Sequence, residues 1–160
     1  WDFKDATAVN GDRLDQDRSD TITYASQLKF GYRFSPGYSF IGKVRGETDG
    51  VALQSMSLEH YPGMTEGELA RIEATATQRF NLSASCIIHR VGTLLPGDNI
   101  VLVITCAPHR RDALAACDFL MDYLKTDAPF WKKEVTARGD GAWVDARTTD
   151  ASARERWSKF

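Results

Sequence analysis

Eight residues from Asn99 to Cys106, NIVLVITC, carry six apolar side chains without polar alternation. The run is far shorter than the roughly 18–20 apolar residues of a membrane helix. Its length and β-branched content make it a strand, and the lack of alternation makes it a central strand covered on both faces. Such a strand needs packing layers, and the chain offers two amphipathic helices. In TEGELARIEATATQRF (65–80), Leu69, Ile72, Ala76 and Phe80 recur at helical spacing. Thr65 is expected to cap this helix, with Glu68 completing a capping box. In RRDALAACDFLMDYLK (110–125), Leu114, Cys117, Met121 and Leu124 form a stripe that Ala113, Ala116 and Leu120 widen. Pro129 prevents continuation.

Strands are expected around these helices. VALQSMSLEHY (51–61) alternates like a half-buried strand, SCIIHRVG (85–92) reads as another, and LLPGDN (94–99) is a hairpin turn. YSFIGKVRG (38–46) is a strand ending in a basic loop, and GDGAWVDAR (139–147) is a turn and strand. The tail TTDASARERWSKF is a short helix or loose. The order β-α-β-β-α-β predicts an α+β fold, with helices on a mainly antiparallel sheet. At 160 residues the chain suits one domain, or one domain with a small lobe. Residues 1–34 are polar and acidic at first. They then alternate through Tyr24, Leu28, Phe30, Tyr32 and Phe34, which predicts one or two strands. A single hairpin of this kind cannot close a membrane barrel.

Composition excludes some functions. A net charge of −2 argues against a general nucleic-acid or anionic-membrane binder, while leaving room for a local basic pocket. Cys86, Cys106 and Cys117 form no CxxC pair and sit in apolar settings, so they read as reduced, packed thiols of a cytoplasmic protein. His60 and His89 each fall on an expected strand without a second ligand at metal spacing, and no metal site is expected. No phosphate-binding loop, nucleophile elbow or paired general acid and base is present.

Three stretches could carry chemistry. CAPHRRD (106–112) places His109, Arg110 and Arg111 at a helix N-terminus, where cations oppose the dipole unless an anion lies between them. GKVRG (42–46) brackets Lys43 and Arg45 with glycines that permit close approach of a ligand. MDYLKTDAPFWKKE (121–134) sets Lys125 and Lys132 on either side of a Pro-aromatic turn. Lys125 suits a helix C-terminus. Lys132 follows an aromatic pair that favours burial, where a lysine can serve as acid, base or nucleophile.

Taken together, GKVRG, LEHYPGMTEGELARI, IIHRVGTLLPGDNIVLV, APHRRDALAACDFLMDYLKTDAPFWKKE and WVDAR resemble the catalytic large subunit family of molybdopterin synthase, in order and spacing, over about residues 38–157. The resemblance implies an α/β hammerhead-like domain with an additional small β subdomain. It implies a sulfurtransferase of molybdenum cofactor biosynthesis that converts cyclic pyranopterin monophosphate to molybdopterin. The sulfur donor would be the C-terminal thiocarboxylate of a small ubiquitin-like subunit, and no cofactor is needed. The assembly would be a homodimer at the centre of a heterotetramer, with no nucleic acid or membrane partner. By motif, Lys125 and Lys132 match the catalytic lysines. Lys43, Val44, Arg45, His109, Arg110, Lys125, Lys132, Lys133, Glu134 and Arg147 match substrate-contacting positions, with Arg147 contributed across the dimer. Clustered cations would let Lys125 exchange a proton during sulfur attack. Residues 1–37 depart from the family and form an atypical N-terminal segment before a domain spanning 38–160. The alternative is a non-catalytic binding module that docks a ubiquitin-like tail or a phosphorylated ligand.

Overall fold

A computed structural model of the chain describes residues 21–26, 37–139, 141–144 and 148–159. Nine strands and three helices occur among them: β1 (Thr21–Ser26), β2 (Gly37–Lys43), β3 (Glu47–Thr48), β4 (Val51–His60), α1 (Met64–Phe80), β5 (Ala84–Arg90), β6 (Gly92–Leu94), β7 (Asn99–Cys106), α2 (Arg110–Thr126), β8 (Phe130–Thr136), β9 (Gly141–Val144) and α3 (Thr148–Glu155), followed by a 3-10 turn over Arg156–Lys159. The α+β expectation holds, and every strand pairing is antiparallel. The expected alternation from Leu28 to Phe34 lies outside the described residues, as does Arg147.

The NIVLVITC run is β7, an inner strand of a four-stranded sheet ordered β1-β5-β7-β2. Its Val101, Leu102 and Val103 are all buried. Helices α1 and α2 pack together, and α2 also crosses β7 and β2. Leu69, Ile72 and Ala76 of α1, Ile87 of β5, Val103 of β7, and Ala116, Phe119 and Leu120 of α2 meet in the main core. The remaining strands form a second sheet, β3-β4-β8-β9, with β6 on β4. It has its own small core of Val44, Leu53, Met56, Leu58 and Leu94. Ile100 packs against both cores.

Three local expectations change. Helix α1 begins at Met64, two residues earlier than Thr65 would allow as a cap. Gly63 adopts φ 84, which glycine reaches without the Cβ penalty, and its N–H donates to Glu66 Oε2 at 2.6 Å. Thr65 is instead fully buried inside the first turn, and its hydroxyl donates to the Pro129 carbonyl at 3.4 Å, tying α1 to the turn before β8. Glu68 pairs with Arg71 rather than with the backbone. On α2, Leu114 is 37% exposed, whereas Phe119 is fully buried. The apolar stripe is therefore rotated toward Phe119, which packs against Phe80, Tyr123 and Trp157. The aromatic knot also divides. Tyr123 stacks on Phe119 and Phe130 stacks on His89, with ring centroids 3.9 Å apart, but Trp131 is 48% exposed. Adjacent strand residues face opposite sides, so Phe130 and Trp131 cannot share a core.

His89 carries a pH consequence. It is 7% exposed on β5, and its Nδ1 lies 2.8 Å from the Arg90 carbonyl. Burial lowers its pKa from 6.5 to about 4; the Arg90 hydrogen bond opposes the shift and nearby His60 adds to it. Between these values the unfolded chain binds more protons than the folded one. The stabilisation is thus complete above pH 6.5 and is lost as pH falls toward 4. Urea midpoints should fall across that window in the wild type, and a His89→Leu chain should show a flatter dependence there.

Candidate active site

Strand β2 organises the site. It is the edge of the four-stranded sheet, and it ends in the basic loop. The pairing with β7 shifts register between Gly42 and Lys43. A Cβ on Gly42 would meet Val101 Cγ1 at 2.8 Å, so glycine lets β2 lie close over β7 just before that loop. Val44 then turns inward, with its N–H donating to the Asp98 carbonyl at 2.9 Å and its side chain buried in the second core. Lys43 and Arg45 on either side stay exposed. Val44 thus anchors the loop and leaves its two neighbours free to face a ligand.

Lys132 and Glu134 sit two residues apart on β8, in register with Leu58 and Met56 of β4, so all four side chains share one sheet face. Lys132 Nζ lies 2.8 Å from Glu134 Oε1, and the Thr48 hydroxyl donates to Glu134 Oε2 at 2.8 Å. Glu134 is 4% exposed. Burial pushes its carboxyl up, but the Lys132 and Thr48 hydrogen bonds and the charges of Lys132 and Arg45 outweigh this, so its pKa ends below the usual value. Arg45, Lys132, Glu134 and Thr48 thus form one electrostatic cluster where β3 meets β8. Both carboxylate oxygens of Glu134 are engaged within the protein, so Glu134 holds Lys132 rather than reaching outward. Lys133 takes the other face, with Nζ 5.8 Å from the Trp143 ring centroid. Strand alternation separates it from the cluster.

Lys125 belongs to a different surface. It lines a groove of about 550 Å3 between β2 and α2, with Tyr38, Phe40, Arg111, Leu114 and Met121. The charge next to it is a carboxylate, Asp150 Oδ1 on α3 at 3.5 Å, rather than the cations the sequence suggested. Strand β2 links the two surfaces, since Phe40 borders the groove and Lys43 and Arg45 lead into the cluster.

His109 and Arg110 stand at the other end of the same helix. His109 is the N-cap of α2, with φ −118 and ψ 135, and both residues are exposed. From Arg110 to Lys125 the helix rises about 22 Å at 1.5 Å per residue. Arg110 and Lys125 therefore stand at opposite ends of the helix, and neither His109 nor Arg110 lines the groove that Lys125 borders. Among the described residues no group of three His, Cys, Asp or Glu side chains is placed to hold a metal ion. The sequence missed Thr48, Asp150, Tyr38 and Phe40. Each reaches the site through tertiary contact, and no local pattern marks any of them.

The MoaE protein family model matches residues 32–127. The molybdopterin synthase catalytic subunit of Ralstonia nicotianae is 58% identical over 119 residues, covering 74% of this chain and 67% of that protein. That of Rhizobium meliloti is 51% identical over 122 residues, covering 76% and 77%. Among solved structures, the molybdopterin biosynthesis MoaE protein from Burkholderia ambifaria superposes with a TM-score of 0.62 at 54% identity, covering 76% of this chain and 79% of that one. The match runs through β2, both core helices and Lys125, and the chain belongs to the MoaE family, the catalytic subunits of molybdopterin synthase.

Proposed function

We propose that the chain transfers sulfur to cyclic pyranopterin monophosphate from the thiocarboxylated tail of a small ubiquitin-like subunit, with Lys125 and Lys132 as catalytic residues. The carrying observation is the Lys132–Glu134 pair. A lysine side chain that is 27% exposed and held 2.8 Å from a buried carboxylate is a fixed cation at a set place. Two anions, the substrate's cyclic phosphate and the thiocarboxylate, must meet in this reaction, and a net-negative chain needs a local cationic site to gather them. Lys43 and Arg45 flank the anchored Val44 and supply phosphate recognition, with the guanidinium offering paired donors. Lys125, on the groove between β2 and α2, meets the tail's carboxyl end and moves a proton as the sulfur attacks.

The length of α2 supports a homodimer at the centre of the assembly. His109 and Arg110 can join a site containing Lys125 if a second copy supplies them. Arg147 is proposed to act the same way, and Lys133 to contact substrate from the Trp143 side. Cys86 and Cys117 are poor sulfur carriers, because burial pushes each thiol up to about 11. A cytoplasmic location is part of this reading, supported by three free cysteines; no helix among the described residues is long and apolar enough to cross a membrane. Residues 38–160 are proposed as the working unit; the family match begins earlier, at residue 32, and β1 at Thr21–Ser26 pairs with β5 of the main sheet.

The test is single-turnover product formation with Lys125→Ala and Lys132→Ala chains beside the wild type. Each should lose about 100-fold or more in rate, in the range of a removed general acid or base. Wild-type rates in both variants would overturn the assignment.

A further inference from the structure

Helix α3 is fastened to α2 by charge at several points. Arg154 forks onto Asp127 at 2.9 and 3.0 Å. Arg156 reaches Asp118 at 2.7 Å and Asp122 at 2.6 Å, and the Trp157 indole N–H donates to Asp122 Oδ2 at 2.7 Å. Arg79 of α1 donates to the Trp157 carbonyl at 2.7 Å and lies over the rings of Phe80, Phe119 and Trp157. Trp157 in turn packs edge-on against Phe80 and Phe119 of the main core. These links fix where α3 lies on α2.

One carboxylate of α3 has a different role. Asp150, in its first turn, lies 3.5 Å from Lys125 Nζ and is 24% exposed at its side chain. Lys125 is 55% exposed, and a lysine so exposed samples many rotamers unless something holds it. A carboxylate on a flexible tail would not restrict it, whereas a carboxylate on an anchored helix does. The groove that Lys125 borders is lined mostly by apolar side chains such as Tyr38, Phe40, Leu114 and Met121, with Arg111, Asp118 and Asp122 as its other charges, and Asp118 is taken up by Arg156. Asp122 is already engaged by Arg156 and Trp157.

We infer that Asp150 is a positioning residue for sulfur transfer: it holds the Lys125 ammonium at the mouth of the β2–α2 groove, and the Arg–Asp lattice beneath α3 fixes the helix that carries it. This rests on the reading of Lys125 as catalytic. The role differs from that of Glu134, which is buried and serves Lys132 on the other sheet.

The experiment is a double-mutant cycle in single-turnover assays, using the full chain, a thiocarboxylated small subunit and the pterin substrate. Asp150→Ala and the isosteric Asp150→Asn should each slow transfer about 5–10-fold, between the weight of an exposed ion pair and that of a misplaced catalytic group. Affinity for the partner tail should be unchanged. In a Lys125→Ala background the same substitutions should cost nothing further, and Asp150→Glu should recover part of the rate. Arg154→Ala, which loosens α3 but keeps Asp150, should give a smaller loss of the same kind. Wild-type rates in both Asp150 variants, with Lys125→Ala slow, would overturn the inference and leave the catalytic assignment standing. An equal further loss in the Lys125→Ala background would overturn it too, by showing that Asp150 acts through the fold. Full activity in Lys125→Ala itself would remove the underlying assignment.

Discussion

A Lys125→Ala chain and an Arg110→Ala chain should each fail to make product alone and should recover activity when mixed. The two residues stand at opposite ends of α2, about 22 Å apart along a rigid helix. In the proposed homodimer, a site that uses both takes Lys125 from one copy and Arg110 from the other. In a mixed dimer one site then receives both native residues and the other receives neither. With random pairing at equal amounts, half the dimers are mixed and half of their sites are intact, so about a quarter of the wild-type signal should return. Each parent should lie about 100-fold below wild type, as for loss of a catalytic or charge-stabilising group. Without subunit exchange, when the two proteins are mixed cold and assayed at once, recovery should be absent. Arg110→Ala at wild-type rate would instead show that the α2 N-terminus lies outside the site.

Replacing Glu134 should damage both stability and transfer. Its two oxygens serve Lys132 and Thr48, and Arg45 adds a second cation nearby. Glu134→Ala leaves a partly buried ammonium without its partner beside a guanidinium. A loss of about 2–3 kcal/mol in urea unfolding is expected, the range for removing one member of a buried charged hydrogen bond. The rate should fall about 10–100-fold, because Lys132 loses its fixed place. The pH dependence separates this group from His89. The Glu134 pKa is lower in the folded state than the ordinary value of 4.5, so the unfolded chain is the one that takes up the proton first as pH falls. The stabilisation is present above that value and is lost as pH drops through the folded pKa. Glu134→Gln should therefore flatten the stability curve below about pH 4.5 and leave the His89 window above it intact.

Much of the fold was legible because periodicity reports burial. NIVLVITC became an inner strand, and Leu69, Ile72 and Ala76 became the core face of α1. Thr65 matches a capping pattern in sequence, but Gly63, with its positive φ, starts the helix, and no local pattern marks that conformation. The buried stripe of α2 turns toward Phe119 because that ring fills the space between α1, α2 and the C-terminal turn, a tertiary contact that the periodicity of α2 alone does not carry. The second sheet was implied by family resemblance rather than by pattern. Its strands β3 and β6 are only two and three residues long, too short to show alternation.

The site was legible in the same uneven way. Lys43, Arg45, Lys125 and Lys132 stood out as cations beside glycines or aromatics, and each lies on β2 or its loop, on α2 beside it, or on β8 below. Their companions did not stand out. Thr48 is 86 residues from Glu134, and Asp150 is 25 residues beyond Lys125. Each is an ordinary polar residue until the chain folds back. Sequence could name the cations and Glu134, but the pairing of Glu134 with Lys132 and of Asp150 with Lys125 required the structure.

The most direct measurement is a single-turnover reaction of the wild-type chain with cyclic pyranopterin monophosphate and a thiocarboxylated small subunit, with the dithiolene product quantified. The account predicts product with the thiocarboxylated tail and none with the same tail ending in a plain carboxylate. Tight binding of the thiocarboxylated tail without product would contradict it, and would make this chain a docking module for that tail.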